Sequence, residues 1–227
     1  MAKDPRQRQK KLERRKAREK AKKKSLAQRN PRDVVSRIER AAAAPILHCC
    51  TCDVLWEQGI ANVLVSRVLA SGNVAFVAFL LDVYCLGVKN VIFDVMPRSR
   101  YDWQVYGKLL GDYNIIQLTP EAARKLIEGG VEYARNLGLP PHSDYHKAKV
   151  IFGDVDASEC EDEFVYGKDG KPYFIAGPHD SASRCSRIIS TLTDHCGPDG
   201  FHYLMPIGTE FSPATEDRLF ALDEPSG

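Results

Sequence analysis

Runs of apolar residues in the first half of the chain predict β-strands. Two of these runs are separated only by Ser71-Gly72, a pair typical of a tight hairpin, and a second bend is predicted at 87–90. The result is a three-stranded antiparallel meander over 61–95. Its central strand is apolar on both faces, so both faces of the sheet are predicted to be covered. The strand-like runs lie at 46–55, 62–70, 73–84 and 91–95.

Helical spacing of apolar residues and helix-capping signals follow the meander. The strongest start signal is Thr119-Pro120, an N-cap followed by proline at the first helical position. Ser143 or Asp144 can cap one later helix, and Asp180 or Ser181 can cap another. Helices are predicted at 34–44, 99–111, 120–137, 144–152 and 183–195.

The C-terminal part of the chain returns to strand patterns. A polar turn at 167–171 separates two short apolar runs, 164–166 and 172–176, and this pattern predicts a hairpin. A last strand is predicted at 201–206. Along the chain the predicted order is the meander, then helices, and finally a hairpin, a helix and a strand. This order predicts an α+β protein. In such folds helices cover a mostly antiparallel sheet.

The net charge of +2 conceals two regions of opposite sign. Residues 1–40 hold 17 of the 32 Lys and Arg but 5 of the 30 Asp and Glu, which gives them a net charge of +12 and leaves −10 on the rest. The segment 1–30 has almost nothing apolar to bury and is predicted to be a disordered basic arm. A single domain is predicted at 31–208, with a loose C-terminal tail at 209–227.

A basic arm of this kind typically binds polyanions through their phosphate groups. The arm has no aromatic residue on which a base could stack, so its binding is predicted to be independent of the nucleotide sequence of its partner. RNA, such as that of the ribosome, is the predicted partner; DNA stays open as a second polyanion, and the sequence identifies no protein partner for the acidic body. The predicted contact residues are Lys10, Lys11, Arg14, Arg15, Lys16, Arg18, Lys20, Lys22, Lys23 and Lys24.

Signals for export, membrane insertion and cofactor binding are missing from the sequence. The arm lacks the apolar core of a secretory signal, and no apolar run approaches the length of a membrane span. A cytoplasmic protein without a membrane partner is therefore predicted. The glycine-rich fingerprints of nucleotide-binding loops are also absent, and no cofactor is predicted.

Four phrases of the body resemble a group of uncharacterised bacterial proteins. Two of them are FLLDVYCLGVK at 79–89 and YGKDGKPYFIAGPHD at 166–180, and the others are WEQG at 56–59 and LGLPPHSDY at 137–145. A Lys-rich arm precedes the body in that group as well. The resemblance spans 45–206 and implies a recurring bacterial domain, but it implies no activity, cofactor or site residue.

A His-Cys-Cys-Thr-Cys run raises the question of a zinc site. His48, Cys49, Cys50 and Cys52 are suitable ligand types, but structural zinc sites use two well-separated pairs. Adjacent side chains of a strand point to opposite faces, so we expect buried free thiols and no metal here.

A second candidate metal cluster is His142, Asp144 and His146, which would share one face of a strand. They follow two prolines, however, where a helix start is predicted, and a capping role is therefore favoured for this cluster.

Carboxylates of the meander support a second functional hypothesis. Asp53, Asp82 and Asp94 lie in or beside predicted strands, and carboxylates on adjacent strands can hold Mg²⁺ for phosphodiester cleavage. His179, near a predicted helix start, could act as an acid or a base. A metal-dependent nucleic-acid hydrolase therefore stays open as the alternative to a non-enzymatic RNA-binding protein.

Asp82 is unusual because it stands in an apolar strand. An unpaired charge is costly in such a place, so the side chain needs a partner or a position at the strand end. Arg67 and Lys89 are the predicted candidates for a buried partner.

Overall fold

A computed structural model describes residues 31–109, 113–178 and 180–205 of the chain. The predicted arm at 1–30 and the tail at 209–227 lie outside these residues. The strands are β1 (Ile46–Cys52), β2 (Ile60–Val68), β3 (Asn73–Asp82), β4 (Gly87–Pro97), β5 (Ile115–Gln117), β6 (Tyr173–Ile175) and β7 (His202–Leu204). The helices are α1 (Pro31–Ala41), α2 (Leu55–Gln58), α3 (Arg98–Tyr101), α4 (Gly107–Leu109), α5 (Pro120–Asn136), α6 (Tyr145–Ala148) and α7 (Ala182–Cys196). A π-helical turn, Asp102–Tyr106, joins α3 to α4, and 3₁₀ turns lie at Lys149–Phe152 and Ala157–Glu159.

The main sheet has five antiparallel strands in the order β4-β3-β2-β1-β5. The register of β2 and β3 runs from Ile60 opposite Asp82 to Val68 opposite Val74, and Gly87 of β4 faces Asp82 from the other side. The predicted meander is therefore confirmed. Strand β5 was not predicted, because three residues are too few to show an alternating pattern.

Helices cover both faces of this sheet, as the apolar pattern of β3 requires. Every β3 residue over 74–79 is buried. On one face α5, α6 and the 3₁₀ turn after α6 pack in the larger core, to which α1 adds Ile38. On the other face Tyr101 of α3 packs beside Phe76. No helix in the described ranges combines the length and the apolar character needed to cross a membrane. The α+β class, with helices over an antiparallel sheet, is confirmed.

The C-terminal part contains a small parallel sheet where a hairpin was predicted. β6 and β7 run parallel, and α7 is the crossover that a parallel pair needs. The predicted polar turn is present and is closed by a bridge between Lys168 and Lys171. Its first limb, 164–166, is not a strand and does not pair with 172–176, so the predicted hairpin was wrong.

The first limb of that turn bonds to the core instead of to a neighbouring strand. The hydroxyl of Tyr166 donates to the carbonyl of Leu126 in α5 at 2.9 Å, and the backbone N–H of Gly167 donates to the carbonyl of Val83 at 2.9 Å. The end of this segment is thus held against α5 and the β3–β4 turn, and the segment 164–166 is not a strand.

Gly87→Ala is expected to destabilise the protein by about 2–5 kcal/mol. The φ of Gly87 is +61°, and a Cβ there would lie 2.6 Å from the carbonyl oxygen of Gly130 in α5. A left-handed residue with a side chain costs about 1–2 kcal/mol, and a clash with backbone adds about 1–3 kcal/mol. The free energy of unfolding, from denaturant titration, measures the loss.

Gly72→Ala is the matched control for this substitution. Its φ is +75°, but a Cβ there would meet nothing within 4 Å, so about 1–2 kcal/mol of conformational strain is expected alone. Equal losses at the two positions would contradict the close approach of α5 to the β3–β4 turn.

Candidate functional site

The β3–β4 turn is organised by the buried carboxylate of Asp82. Asp82 ends β3 and is 5% exposed. Its Oδ1 accepts hydrogen bonds from the backbone N–H groups of Tyr84 at 3.0 Å and Cys85 at 2.9 Å. Burial raises the pKa of the Asp82 carboxyl to about 6, and the backbone hydrogen bonds limit the rise. Asp82 therefore occupies the strand-end position that the sequence analysis allowed.

Arg67, one of the two predicted partners of Asp82, bonds elsewhere. Its guanidinium is buried and donates from Nε to the carbonyl of Ile151 and from Nη2 to that of Phe152, both at 2.7 Å, and from Nη1 to the carbonyl of Ala44. Burial lowers the pKa of Arg67. The side chain ties β2 to the 3₁₀ turn and to the end of α1, so its predicted pairing with Asp82 was wrong.

A second buried carboxylate, Asp180, binds the other predicted partner. Lys89 Nζ lies 2.7 Å from Asp180 Oδ2, and the two side chains are 14% and 6% exposed. The same oxygen accepts the backbone N–H of Gly177 at 2.8 Å, and Arg184 Nε lies 3.4 Å from Oδ1. Burial alone would raise the pKa of Asp180, but the bonds from Lys89 and Gly177 and the nearby positive charges outweigh it and lower the pKa. The ion pair joins β4 to the start of α7.

A cavity of about 280 Å³ is lined by these charged residues, Asp82, Lys89 and Asp180, and otherwise mainly by apolar surface. The rings of Tyr84 and Tyr173 on its wall are stacked with centroids 6.2 Å apart. Cavities that hold small ligands usually have volumes of about 300–1,000 Å³, so this one lies at the lower limit.

Lys89 also lines a second, more polar depression of about 400 Å³. Arg184 and Arg187, from the first two turns of α7, line it together with the loop 138–143. An adjoining depression of about 520 Å³ shares this loop and adds Arg135 and His146. None of the described residues that line the two depressions is acidic. We name this surface the basic groove; it comprises Lys89, Arg135, His142, His146, Arg184 and Arg187.

The three predicted carboxylates of the meander do not converge. Asp94 is opposite Phe76 in the register of β3 and β4, six residues from Asp82, which corresponds to about 20 Å along the strand. Asp53 follows β1, is exposed, and accepts a hydrogen bond from Asn114 Nδ2 at 2.7 Å. Strand β2 separates β1 from β3. The structure therefore does not form the carboxylate pair that the hydrolase hypothesis requires.

The cluster of His142, Asp144 and His146 lies at the start of α6. Asp144 occupies the N-cap position, but its side chain makes no capping bond and instead pairs with Lys147 at 2.7 Å. The Nδ1 of His142 accepts the backbone N–H of Asp144 at 3.2 Å, and His146 Nε2 lies 3.2 Å from Arg135 Nη2. The predicted helix start is confirmed. The predicted side-chain cap was wrong, because the backbone of Asp144 is helical (φ −88°, ψ −1°), whereas a capping residue typically has an extended backbone.

Two other predicted caps are confirmed. Thr119 Oγ1 accepts the backbone N–H of Ala122 at 3.1 Å, and Ser181 Oγ accepts that of Arg184 at 3.3 Å. These caps fix the starts of α5 and α7. His179, the predicted acid or base near α7, lies outside the described residues.

The cysteines of β1 pack in two separate cores. Cys49 and Cys52 belong to the larger core and Cys50 to the smaller one on the opposite face. Burial raises the pKa of Cys49 to about 12 and that of Cys50 to about 11, which disfavours the thiolate that binds metal. His48 Nδ1 lies 2.9 Å from the hydroxyl of Tyr101.

All seven cysteines are free thiols. Over 31–109, 113–178 and 180–205, no three His, Cys, Asp or Glu side chains lie together as a group that could hold a metal ion. Within these ranges, the candidates on β1 and at the start of α6 do not form such a group.

Sequence reasoning missed the ion-pair role of Asp180 and the whole basic groove. Asp180 was considered only as a helix cap, because its partner Lys89 is 91 residues away in the sequence and no local pattern indicates the pair. Arg184 and Arg187 are spaced by three residues on one helix, but such spacing is typical of any solvated helix face and carries little information.

The chain matches no protein-family model, no curated protein and no solved structure.

Asp82→Asn is expected to change how stability depends on pH. Because folding raises the pKa of Asp82 from 3.8 to about 6, the native protein binds more protons than the unfolded chain between these values. This carboxyl therefore lowers stability as the pH rises through that range. Asparagine keeps an acceptor without the charge. The free energy of unfolding of the variant, relative to the unchanged protein, is expected to rise by about 2.4 kcal/mol between pH 4 and pH 7.

Asp82→Ala is the control, measured by the same denaturant titrations. It removes the acceptor as well as the charge and leaves the buried N–H groups of Tyr84 and Cys85 unpaired, at a cost of about 1–3 kcal/mol each. It should be less stable than the asparagine variant at every pH. A stability difference between Asp82→Asn and the unchanged protein that is independent of pH would show that the carboxylate is not buried as described.

Proposed function

We propose that the protein is a cytoplasmic RNA-associated binding protein that holds phosphate groups with its basic arm, without base specificity and without catalysing a reaction. RNA-rich assemblies such as the ribosome are its proposed location. The observation that carries this proposal is the separation of charge along the chain, +12 over residues 1–40 and −10 over the remainder.

Counterion release provides the physical basis for binding by the arm. Thirteen of the first 24 residues are Lys or Arg. Each phosphate that they neutralise releases condensed cations, which favours binding at low salt and makes affinity fall steeply as salt increases. The absence of aromatic residues from 1–30 removes the usual means of stacking on bases. The binding is therefore led by the backbone of the nucleic acid.

The described residues support the proposal through helix α1, which connects the end of the arm to the sheet. Helix α1 follows the arm directly and is fixed to the sheet by Ile38, which is fully buried, and Val34. Arg37 Nη2 donates to the carbonyl of Val95 in the edge strand β4 at 3.4 Å. An RNA strand held by the arm is thereby connected to one defined edge of the body.

The hydrolase hypothesis has no comparable support. Its carboxylates Asp53, Asp82 and Asp94 are spread over the sheet, and Asp82 is engaged in holding a turn. We therefore propose a binding function alone.

Replacement of the ten predicted contact residues by glutamine in the full chain is expected to weaken RNA binding at least 100-fold at 0.1 M salt. About six phosphate contacts to a single strand give a log–log salt slope of roughly −4, and loss of the arm contacts should reduce that slope by more than half. Fluorescence anisotropy with a labelled 20-nucleotide oligouridylate, between 0.05 and 0.3 M NaCl, measures both quantities. The replaced residues are Lys10, Lys11, Arg14, Arg15, Lys16, Arg18, Lys20, Lys22, Lys23 and Lys24.

A chain with the order of residues 1–30 shuffled is the matched control, because it keeps the composition and charge of the arm. It should bind the oligonucleotide like the unchanged protein if the contacts are electrostatic and independent of sequence. Undiminished affinity of the glutamine variant would refute the proposed function.

A further inference from the structure

We propose that the basic groove is a second phosphate-binding site, in which the body holds the backbone of the RNA strand that the arm binds. The identity of the polyanion rests on the proposed function; the site itself rests on the described residues. This inference assigns nucleic-acid contacts to a body whose net charge alone would predict repulsion.

The cations of the groove are only partly neutralised by the protein. Asp180 makes its short contact, at 2.7 Å, with Lys89, whereas Arg184 lies 3.4 Å from it and is half exposed. Asp144, which follows the loop 138–143, is paired with Lys147 at 2.7 Å. Arg187 and Arg135 make no ion pair with any described residue. The groove therefore has positive charge available for an external anion.

The shape of the groove suits a chain of phosphates better than a single anion. Its two depressions, of about 400 and 520 Å³, share the loop 138–143, and each has its own basic residues. Arg184 and Arg187 lie in the first depression, and Arg135 lies in the second. A ligand that contacts both must be extended and must repeat its negative charge.

The loop 138–143, which both depressions share, is held in place before any ligand binds. The backbone N–H of His142 donates to the carbonyl of Val88 in β4 at 2.9 Å, and that of Leu139 donates to Ala134 of α5 at 2.9 Å. The intervening residues are Pro140-Pro141, whose φ angles are restricted. Such preorganisation lowers the entropy that is lost on binding.

The acidic stretch at 154–163 does not neutralise the groove. It is bonded to the first half of α5, where Lys125 Nζ donates to the carbonyl of Cys160 at 2.7 Å. Arg135 is ten residues further along the same helix, which corresponds to about 15 Å. Charges of exposed residues are screened over about 10 Å at 0.1 M salt. The sign of the electrostatic potential at the groove is therefore set by the charged side chains close to it.

The neighbouring cavity of about 280 Å³ is the wrong place for phosphate. Asp82 and Asp180 both line it, and the rest of its wall is mainly apolar. Phosphate binding is therefore assigned to the groove alone.

The test is a double variant of the full chain, Arg184→Gln with Arg187→Gln, and the oligouridylate of 20 nucleotides used for the arm. Loss of two single-strand phosphate contacts should lower the log–log salt slope by about 1.4 and the affinity by about 25-fold at 0.1 M salt. Neither arginine is buried, and Asp180 keeps its bond to Lys89, so the fold should be retained. A circular dichroism melt checks this.

Arg100→Gln with Lys108→Gln is the matched control. It removes the same charge from exposed side chains of α3 and α4, the helices on the opposite face of the sheet, and should leave affinity and slope unchanged. If the two double variants bind equally, the groove is not a phosphate site.

The failures of the two proposals are distinguishable. Loss of binding in the arm variant with none in the Arg184/Arg187 variant would overturn the groove and leave the proposed function standing. Loss in the Arg184/Arg187 variant alone would support the groove and refute the arm as the main contact.

Discussion

The two hydrogen bonds that the Asp82 carboxylate accepts are the interaction on which the rest of the structure depends, because they fix the β3–β4 turn to which distant segments attach. By accepting the N–H groups of Tyr84 and Cys85, it leaves the carbonyls of the turn free to accept other bonds. The carbonyl of Val83 accepts the N–H of Gly167, and that of Tyr84 accepts the N–H of Tyr173 at 3.1 Å. These two bonds bring the C-terminal part of the chain onto the sheet.

The position of the basic groove follows from this turn through a third core, which is separate from the two cores on the faces of the sheet. Cys85 and Leu86 of the turn pack with Phe174 of β6 and with Cys185 and Ile188 of α7. Helix α7 is therefore held over the end of the sheet, where its first two turns face the loop after α5. The Lys89–Asp180 ion pair adds a charged contact at the same junction. A buried hydrogen-bond acceptor at one strand end thus helps to position the exposed basic side chains of the groove.

The sequence predicted the parts of this arrangement that depend on neighbouring residues and not those that depend on distant ones. Alternation and apolar runs located β2, β3 and β4, and Thr119 and Ser181 marked helix starts, because each signal lies within a few residues. The hairpin at 164–176 failed because a contact with α5 replaced local pairing. The Asp180–Lys89 pair spans 91 residues and has no local signature. The groove likewise combines side chains from β4, α5 and α7.

The net charge of this protein does not predict the electrostatic potential at each part of its surface, because salt screens all but the nearby charges. The residues outside 1–40 carry a net charge of −10, yet none of the described residues that line the groove is acidic. Arg135 of the groove lies about 15 Å along α5 from Lys125, which bonds to the acidic stretch at 154–163, and this distance exceeds the screening length of about 10 Å at 0.1 M salt. A groove with few cations binds weakly by itself. If the arm and the groove both hold phosphate groups, as proposed, each raises the occupancy of the other, because a strand held at the first is present at high effective concentration at the second. On the same proposal, the acidic remainder of the body favours release of a strand that is not held at both sites.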